Sequence, residues 1–195
     1  MRSIEESVAV VKQWVEEQEP GRFKLLFMRS ATPKKFERLE SILGQGRLPT
    51  DFRALYQLHD GAEPFRLAVW HQGMYSLKEI GACWSMLRTL LDCGDIPGLE
   101  ERNNLVSDPR ILPVWWSPGW IPFTHDFGGN LHCYDLTPGG EGGAGQIIRF
   151  WHDTGDRQII APSLQAYMDQ YAVDLLQGLY ALTPEGVCSN QTFVA

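Results

Sequence analysis

Trp120-Ile121-Pro122-Phe123-Thr124-His125-Asp126-Phe127-Gly128-Gly129-Asn130-Leu131-His132-Cys133-Tyr134-Asp135-Leu136 is the stretch on which the fold turns. Two β-prone runs, Ile121–Thr124 and Asn130–Leu136, flank Asp126 to Gly129. An aspartate opens a turn by accepting hydrogen bonds from the backbone just after it, and glycines adopt positive φ without steric cost. Runs joined this closely pair antiparallel, because a parallel return needs a crossover of about a dozen residues or more.

The same rhythm continues on both sides. Val114–Trp116, Ile147–Trp151 and Gln158–Ala161 read as further strands, punctuated by Ser117-Pro118-Gly119, by Pro138 to Gly145 and by Asp153 to Asp156. An antiparallel meander between residues 111 and 161 is expected. Farther upstream the apolar spacing becomes helical. Ile4, Val8, Val11 and Val15 share one face of a helix over residues 4–19, which Pro20-Gly21 stops. Thr32-Pro33 opens a helix with Phe36, Leu39, Ile42 and Leu43 on one side and Gly44 at its end. Phe52, Leu55, Tyr56 and Leu58 form a short third helix, closed by Asp60-Gly61. Ser76-Leu77-Lys78-Glu79 is a capping box that starts a fourth. Phe65, Leu67 and Val69 alternate with Arg66, Ala68 and Trp70 as in a strand, and residues 92–110 read as a long loop. Leu164, Met168, Tyr171 and Leu175 stripe a closing helix. Helices first, then a sheet, then a helix indicate an α+β fold, a mainly antiparallel sheet flanked by helices. Residues 1–182 are expected to form one domain, with 183–195 as a flexible tail.

Bulk properties narrow the function. A chain of 195 residues can bury about 70% of its unfolded surface. The net charge of −7 disfavours phosphate backbones and therefore general nucleic-acid binding. It suits solubility or a basic protein partner. Cys83, Cys93, Cys133 and Cys188 are scattered with no Cys-x-x-Cys, so neither a zinc ribbon nor any other cofactor is signalled. No apolar run approaches the ~20 residues of a membrane helix, and Met1 to Ser7 has no secretory pattern. A cytoplasmic protein with reduced thiols is expected.

Glu37-x-x-Glu40-x-x-Leu43-Gly44, Leu48-Pro49-x-Asp51-Phe52 with Leu55, and His59-Asp60-Gly61 occur in that order. Trp120-Ile121-Pro122-Phe123, Asp126, Gly128-Gly129-Asn130 and Asp135 follow, then Gly145-Gln146-Ile147-Ile148 and an aromatic helix after Ala161. This ordered set resembles the SUKH superfamily, in its cell-wall assembly regulator branch, over roughly residues 14 to 182. The resemblance implies a sheet flanked by helices and no catalytic activity. It also implies work through protein partners. In bacterial members these are toxins that an immunity protein neutralises, and in fungal members they belong to glucan synthesis and wall signalling. The tract Trp151 to Asp156 falls where the family varies freely, which fits partner-specific recognition.

Trp115-Trp116-Ser117-Pro118-Gly119-Trp120 is the most unusual run. Neighbours on a strand point to opposite faces, so Trp115 and Trp116 cannot both enter one core. Either one of them anchors a partner, or both faces of the sheet are covered and all three rings are structural. The candidate partner-binding set is Trp115, Trp116, Trp120, Asp126, Asn130, Asp135, His152 and Asp153. A basic toxin domain would meet charge and aromatic anchors there. Glucan recognition is an alternative, since aromatic faces stack on sugars beside polar side chains. A His125, Asp126 and Cys133 enzyme is a third, and it requires those side chains to converge. Pro138 to Gly145 lacks a following Lys-Ser or Lys-Thr and precedes a strand, so phosphate cradling is not supported.

Overall fold

The computed structural model describes residues 1–62, 72–96, 108–155, 157–184 and 186–189. The elements are α1 Ile4–Gln18, α2 Phe23–Leu26, α3 Pro33–Leu43, α4 Thr50–Leu58, β1 Gly73–Met74, α5 Leu77–Asp92, β2 Trp120–Pro122, β3 Thr124–His125, β4 Leu131–Asp135, β5 Ile147–Phe150, β6 Arg157–Ala161, α6 Leu164–Leu176, β7 Tyr180–Thr183 and β8 Gly186–Ser189. The fold is α+β. Strands β2, β4, β5 and β6 form an antiparallel sheet in the order β2-β4-β5-β6. Beside it, β1 pairs with β3, and β7 pairs with β8. The expected strand at Phe65–Trp70 lies outside the described residues.

Local chemistry sets the helix ends. Ser3 and Ser76 each accept a bond from the backbone N–H three residues on, while Glu6 and Glu79 reach back to close capping boxes. Pro33 opens α3, and Gly44 closes it in the left-handed conformation at φ 65°. The N-terminal helix packs chiefly on α6 and on α4, with Arg2 Nη1 2.8 Å from Asp169 Oδ1. One apolar core runs from Ile4 in α1 to Val187 in β8. Among the described residues no helix is long and apolar enough to cross a membrane.

Both faces of the four-stranded sheet are covered. From β4, Tyr134 donates to Asp51 of α4 at 3.0 Å, and His132 Nδ1 lies 2.8 Å from the Tyr167 hydroxyl of α6. These two side chains share the helical face. The other face, carrying Cys133 and Asp135, is covered by α5 and the segment 108–118. There Gln146, beside Asp135, donates to the Arg110 carbonyl, and Trp84 of α5 meets Trp116 edge-on at 6.0 Å.

Two expectations change. Val114–Trp116 is not a strand. Pro113 and Pro118 bracket it, and a proline cannot donate to a ladder. The Trp115 carbonyl is instead taken by the Arg157 guanidinium, at 2.6 and 3.2 Å. The tail from 183 is not wholly loose either, since Thr183 and Gly186–Ser189 complete the β7–β8 hairpin.

His59-Asp60-Gly61 locks α4 to α5. Asp60 is fully buried; its Oδ1 accepts the Leu77 N–H at 2.8 Å at the start of α5, and its Oδ2 pairs with Lys35 of α3. Gly61 sits at φ 83°, where a Cβ would stand 2.6 Å from the Ser76 nitrogen, so only glycine lets the chain pass. The His59 ring lies edge-on to Phe27 at 4.7 Å. Burial pulls its pKa down to about 4, outweighing the Gly61 backbone and the Asp60 carboxylate, which push it up.

Candidate functional site

At one end of the sheet two turns meet. The first links β3 to β4. Asp126 Oδ1 accepts the N–H groups of Gly128 and Asn130 at 2.7 and 2.9 Å, and its Oδ2 accepts the Asn130 amide at 2.5 Å. This carboxylate is spent on the shape of its own loop. Gly129 takes φ 98°, and a Cβ there would stand 3.0 Å from the His152 ring of the second turn.

Phe127 is unusual. It holds φ 64° and is the one non-glycine residue with positive φ among the described residues. Left-handed backbone costs an ordinary side chain about 1–2 kcal/mol. The ring is nevertheless 54% exposed. Its inner edge meets His125 at 4.1 Å, and His125 stacks on Tyr75 at 4.3 Å. Burial lowers the His125 pKa, which favours the neutral ring.

The second turn links β5 to β6. Its first residue, Trp151, is 43% exposed, with the Arg149 guanidinium 4.9 Å from its ring centre. The Asn130 side-chain oxygen accepts the His152 backbone N–H at 3.1 Å and lies 3.1 Å from His152 Nδ1. His152 Nε2 is 2.8 Å from Asp153 Oδ1. These contacts run through Asp126, Asn130, His152 and Asp153 in turn. The turns are thus clasped by polar side chains, and each carries an exposed ring.

The eight candidate residues therefore divide. Asp126, Asn130, His152 and Asp153 come together in this clasp. Trp116 and Trp120 are 2% and 0% exposed, and neither can anchor a partner. Trp115 is half-buried, edge-on to Phe150 at 4.8 Å and beside Arg157 at 5.7 Å. Trp116 and Trp120 are structural rings, packed in the core, while Trp115 keeps part of its ring in water. Asp135 is 0% exposed and accepts the Thr137 N–H and the Gln146 amide, each at 2.8 Å. Burial raises its pKa, and those bonds pull the other way.

Outside the candidate set stand Phe127 and Trp151, the latter read only as the first residue of the variable tract 151–156. A trace existed for the first: a large apolar side chain between turn formers, where glycine or asparagine is the cheaper choice.

His125, Asp126 and Cys133 do not form a catalytic cluster. The first lies against Tyr75 and Phe127, the second is tied into its turn, and Cys133 is fully buried, with its thiolate strongly disfavoured by desolvation. Among the described residues, no three His, Cys, Asp or Glu side chains are grouped to hold a metal ion.

Known proteins are similar to this chain in sequence. Residues 30–170 match the model of the SMI1 / KNR4 family (SUKH-1). The chain is 27% identical over 209 residues to "KNR4/SMI1 homolog 2" of Debaryomyces hansenii, covering 88% of this chain and 35% of that protein. It is 27% identical over 201 residues to the "Glucan synthesis regulatory protein" of Neurospora crassa, covering 86% of this chain and 37% of that one. The "Cell wall assembly regulator SMI1" of Saccharomyces cerevisiae is 29% identical over 114 residues, 58% of this chain and 22% of that protein. The chain thus spans little more than a third of the length of the first two relatives, and less of the third.

Proposed function

The chain belongs to the SMI1 / KNR4 family (SUKH-1), and on that premise we propose that it is a non-catalytic cytoplasmic module that regulates cell-wall glucan synthesis by docking a protein partner. The docking surface is the pair of clasped turns at 126–130 and 151–155. The observation that carries this reading is Phe127, held in a costly backbone conformation with half its ring in water. An outlier of this kind at a loop tip supports a binding role, because folding alone would favour glycine. Trp151 supplies a second aromatic anchor of the type that dominates interfaces, and Asp153 supplies negative charge at the rim.

The relatives' names bear on a regulator, and the acidic rim suits a basic partner. A toxin domain bound by an immunity protein is one such partner. Sugar recognition is the competing reading, because exposed Phe127 and Trp151 flank amide and carboxylate groups.

The test is photo-cross-linking in the source cells with benzoylphenylalanine at position 127 or 151. The same probe at exposed Leu25, on α2, is the control. The expected result is one protein captured from both turn positions and absent from the control, with capture lost in Trp151→Ala. A saturable change in Trp fluorescence with β-glucan oligomers, and no protein adduct, would move the function to sugar binding.

A further inference from the structure

A second surface lies away from the clasped turns, between α3 and α5. The two helices pack closely at Gly81, where a Cβ would stand 2.9 Å from Ile42 Cδ1. Beside that contact is a groove of 370 Å³ with Leu39, Ile42, Gly81 and Ala82 along its floor. Arg38 on one helix and Lys78 on the other stand exposed on its rim, as does Lys35.

The charges are arranged in one sense. Lys35 is matched by the buried Asp60, but Arg38 and Lys78 form no ion pair among the described residues. Two carboxylates on these helices are already engaged, while Glu37 stands exposed next to Arg38 in sequence. Glu40 bonds Arg53 at 2.6 Å and the Leu48 N–H at 3.0 Å, and Glu79 is held in the capping box. In a chain of net charge −7, an apolar floor between unmatched cations is a local reversal of sign.

The lining also indicates the type of occupant. A small-molecule site presents a few convergent donors and acceptors that fix orientation. Here the polar lining is three cations and the Ser85 hydroxyl. The groove follows the helix axes from residue 35 to 42 and from 77 to 85, a length of roughly two helical turns. That is the footprint of a short helix laying an apolar stripe into a groove.

We propose that the α3–α5 groove docks an acidic amphipathic helix from a partner protein, with apolar side chains over Ile42 and Ala82 and carboxylates on Arg38 and Lys78. This site is independent of the turn surface, so the module has two places to hold partners.

The experiment uses the full chain and a fluorescein-labelled helical peptide, about four turns long. The peptide carries Leu at i, i+3, i+4 and i+7 with Glu flanking the stripe, and a second peptide carries Lys in place of Glu. Fluorescence anisotropy should show saturable binding of the Glu peptide only. Binding should weaken about tenfold or more in the doubly charge-reversed R38E/K78E chain, a change equivalent to about 1.4 kcal/mol. It should weaken as well when Ala82→Trp fills the groove. Both variants change exposed side chains, and unchanged thermal melts confirm that they fold. Phe127→Gly should leave the affinity unchanged, which separates failure here from failure of the turn surface. Absence of saturable binding overturns the proposal, as does equal binding of the Lys peptide or unaltered affinity in both groove variants.

Discussion

Residues 59–60 and residues 152–153 are the same dipeptide, His-Asp, each shortly after the end of a regular element. In the first copy both side chains turn inward. Asp60 caps the first N–H of α5 and meets Lys35, and His59 is buried. In the second copy both side chains stand at the surface, where His152 clasps Asn130 and Asp153 faces water. What separates them is the environment. The start of α5 brings an N–H with no partner of its own into reach of Asp60, and satisfying it inside the core makes that carboxylate structural. Asp153 instead meets the ring of its neighbour His152 at 2.8 Å, and its side chain, 77% exposed, stays open to water and to another molecule.

The largest expected effect breaks the buried copy. Asp60→Ala strands the Leu77 N–H and leaves a hole, and should cost about 3 kcal/mol, because Lys35, half in water, can turn outward. Asp153→Ala should stay within about 0.5 kcal/mol of the parent. Chemical denaturation of the two variants measures the contrast, and equal costs would erase it.

Acid should separate the copies next. The His59 pKa falls from an ordinary 6.5 to about 4 in the folded chain. The unfolded chain therefore takes up a proton on this ring below pH 6.5, while the folded chain refuses it until near pH 4. Stability from this group is complete above pH 6.5, drains away as pH falls, and is gone below pH 4. The loss amounts to roughly 3 kcal/mol at most. Denaturation curves across that window should show this slope reduced in His59→Phe and preserved in His152→Ala.

A smaller effect is expected at the turn itself. Asp126→Ala removes two bonds to backbone N–H groups at a partly exposed site and should cost about 1–2 kcal/mol. The loss of turn shape should also release His152 from Asn130, visible as a change in the His152 ring resonances. An unmoved ring would mean that the two turns hold their geometry without the clasp.

These contrasts mark where residue order carries information and where it does not. Helices α3 and α5 were legible because their ends are local chemistry: Pro33 and Gly44 for one, with Thr32 at the N-cap but making no side-chain cap bond, and Ser76 to Glu79 for the other. The meander was legible because Asp126 and the glycines after it make a turn whatever surrounds them. Val114–Trp116 was not, because an aromatic run looks alike as strand or as packed loop. The deciding partner, Arg157, lies 42 residues beyond Trp115. The site was half legible for the same reason. Asp126, Asn130, His152 and Asp153 announce themselves as turn formers. Whether a tryptophan is covered depends on elements elsewhere, so Trp116 and Trp120 stand among the candidate anchors while Trp151 enters only as the first residue of the variable tract 151–156.

The smallest effect on stability is also the one that tests the outward copy most sharply. Phe127→Gly removes an exposed ring and relieves a left-handed backbone. Relief should contribute about 1 kcal/mol, set against the added entropy of glycine in the unfolded chain and the lost contact with His125. The variant should therefore be as stable as the parent or up to about 1 kcal/mol more stable. Its affinity for the partner captured at position 127 should fall about tenfold or more. Such a pairing has one physical meaning: the ring is retained at the expense of folding because it contacts something outside the molecule. A stability loss above about 1 kcal/mol with unchanged partner affinity would give Phe127 the opposite role, a lid over His125 and Tyr75. It would then belong with His59 and Asp60, among the residues that serve the fold.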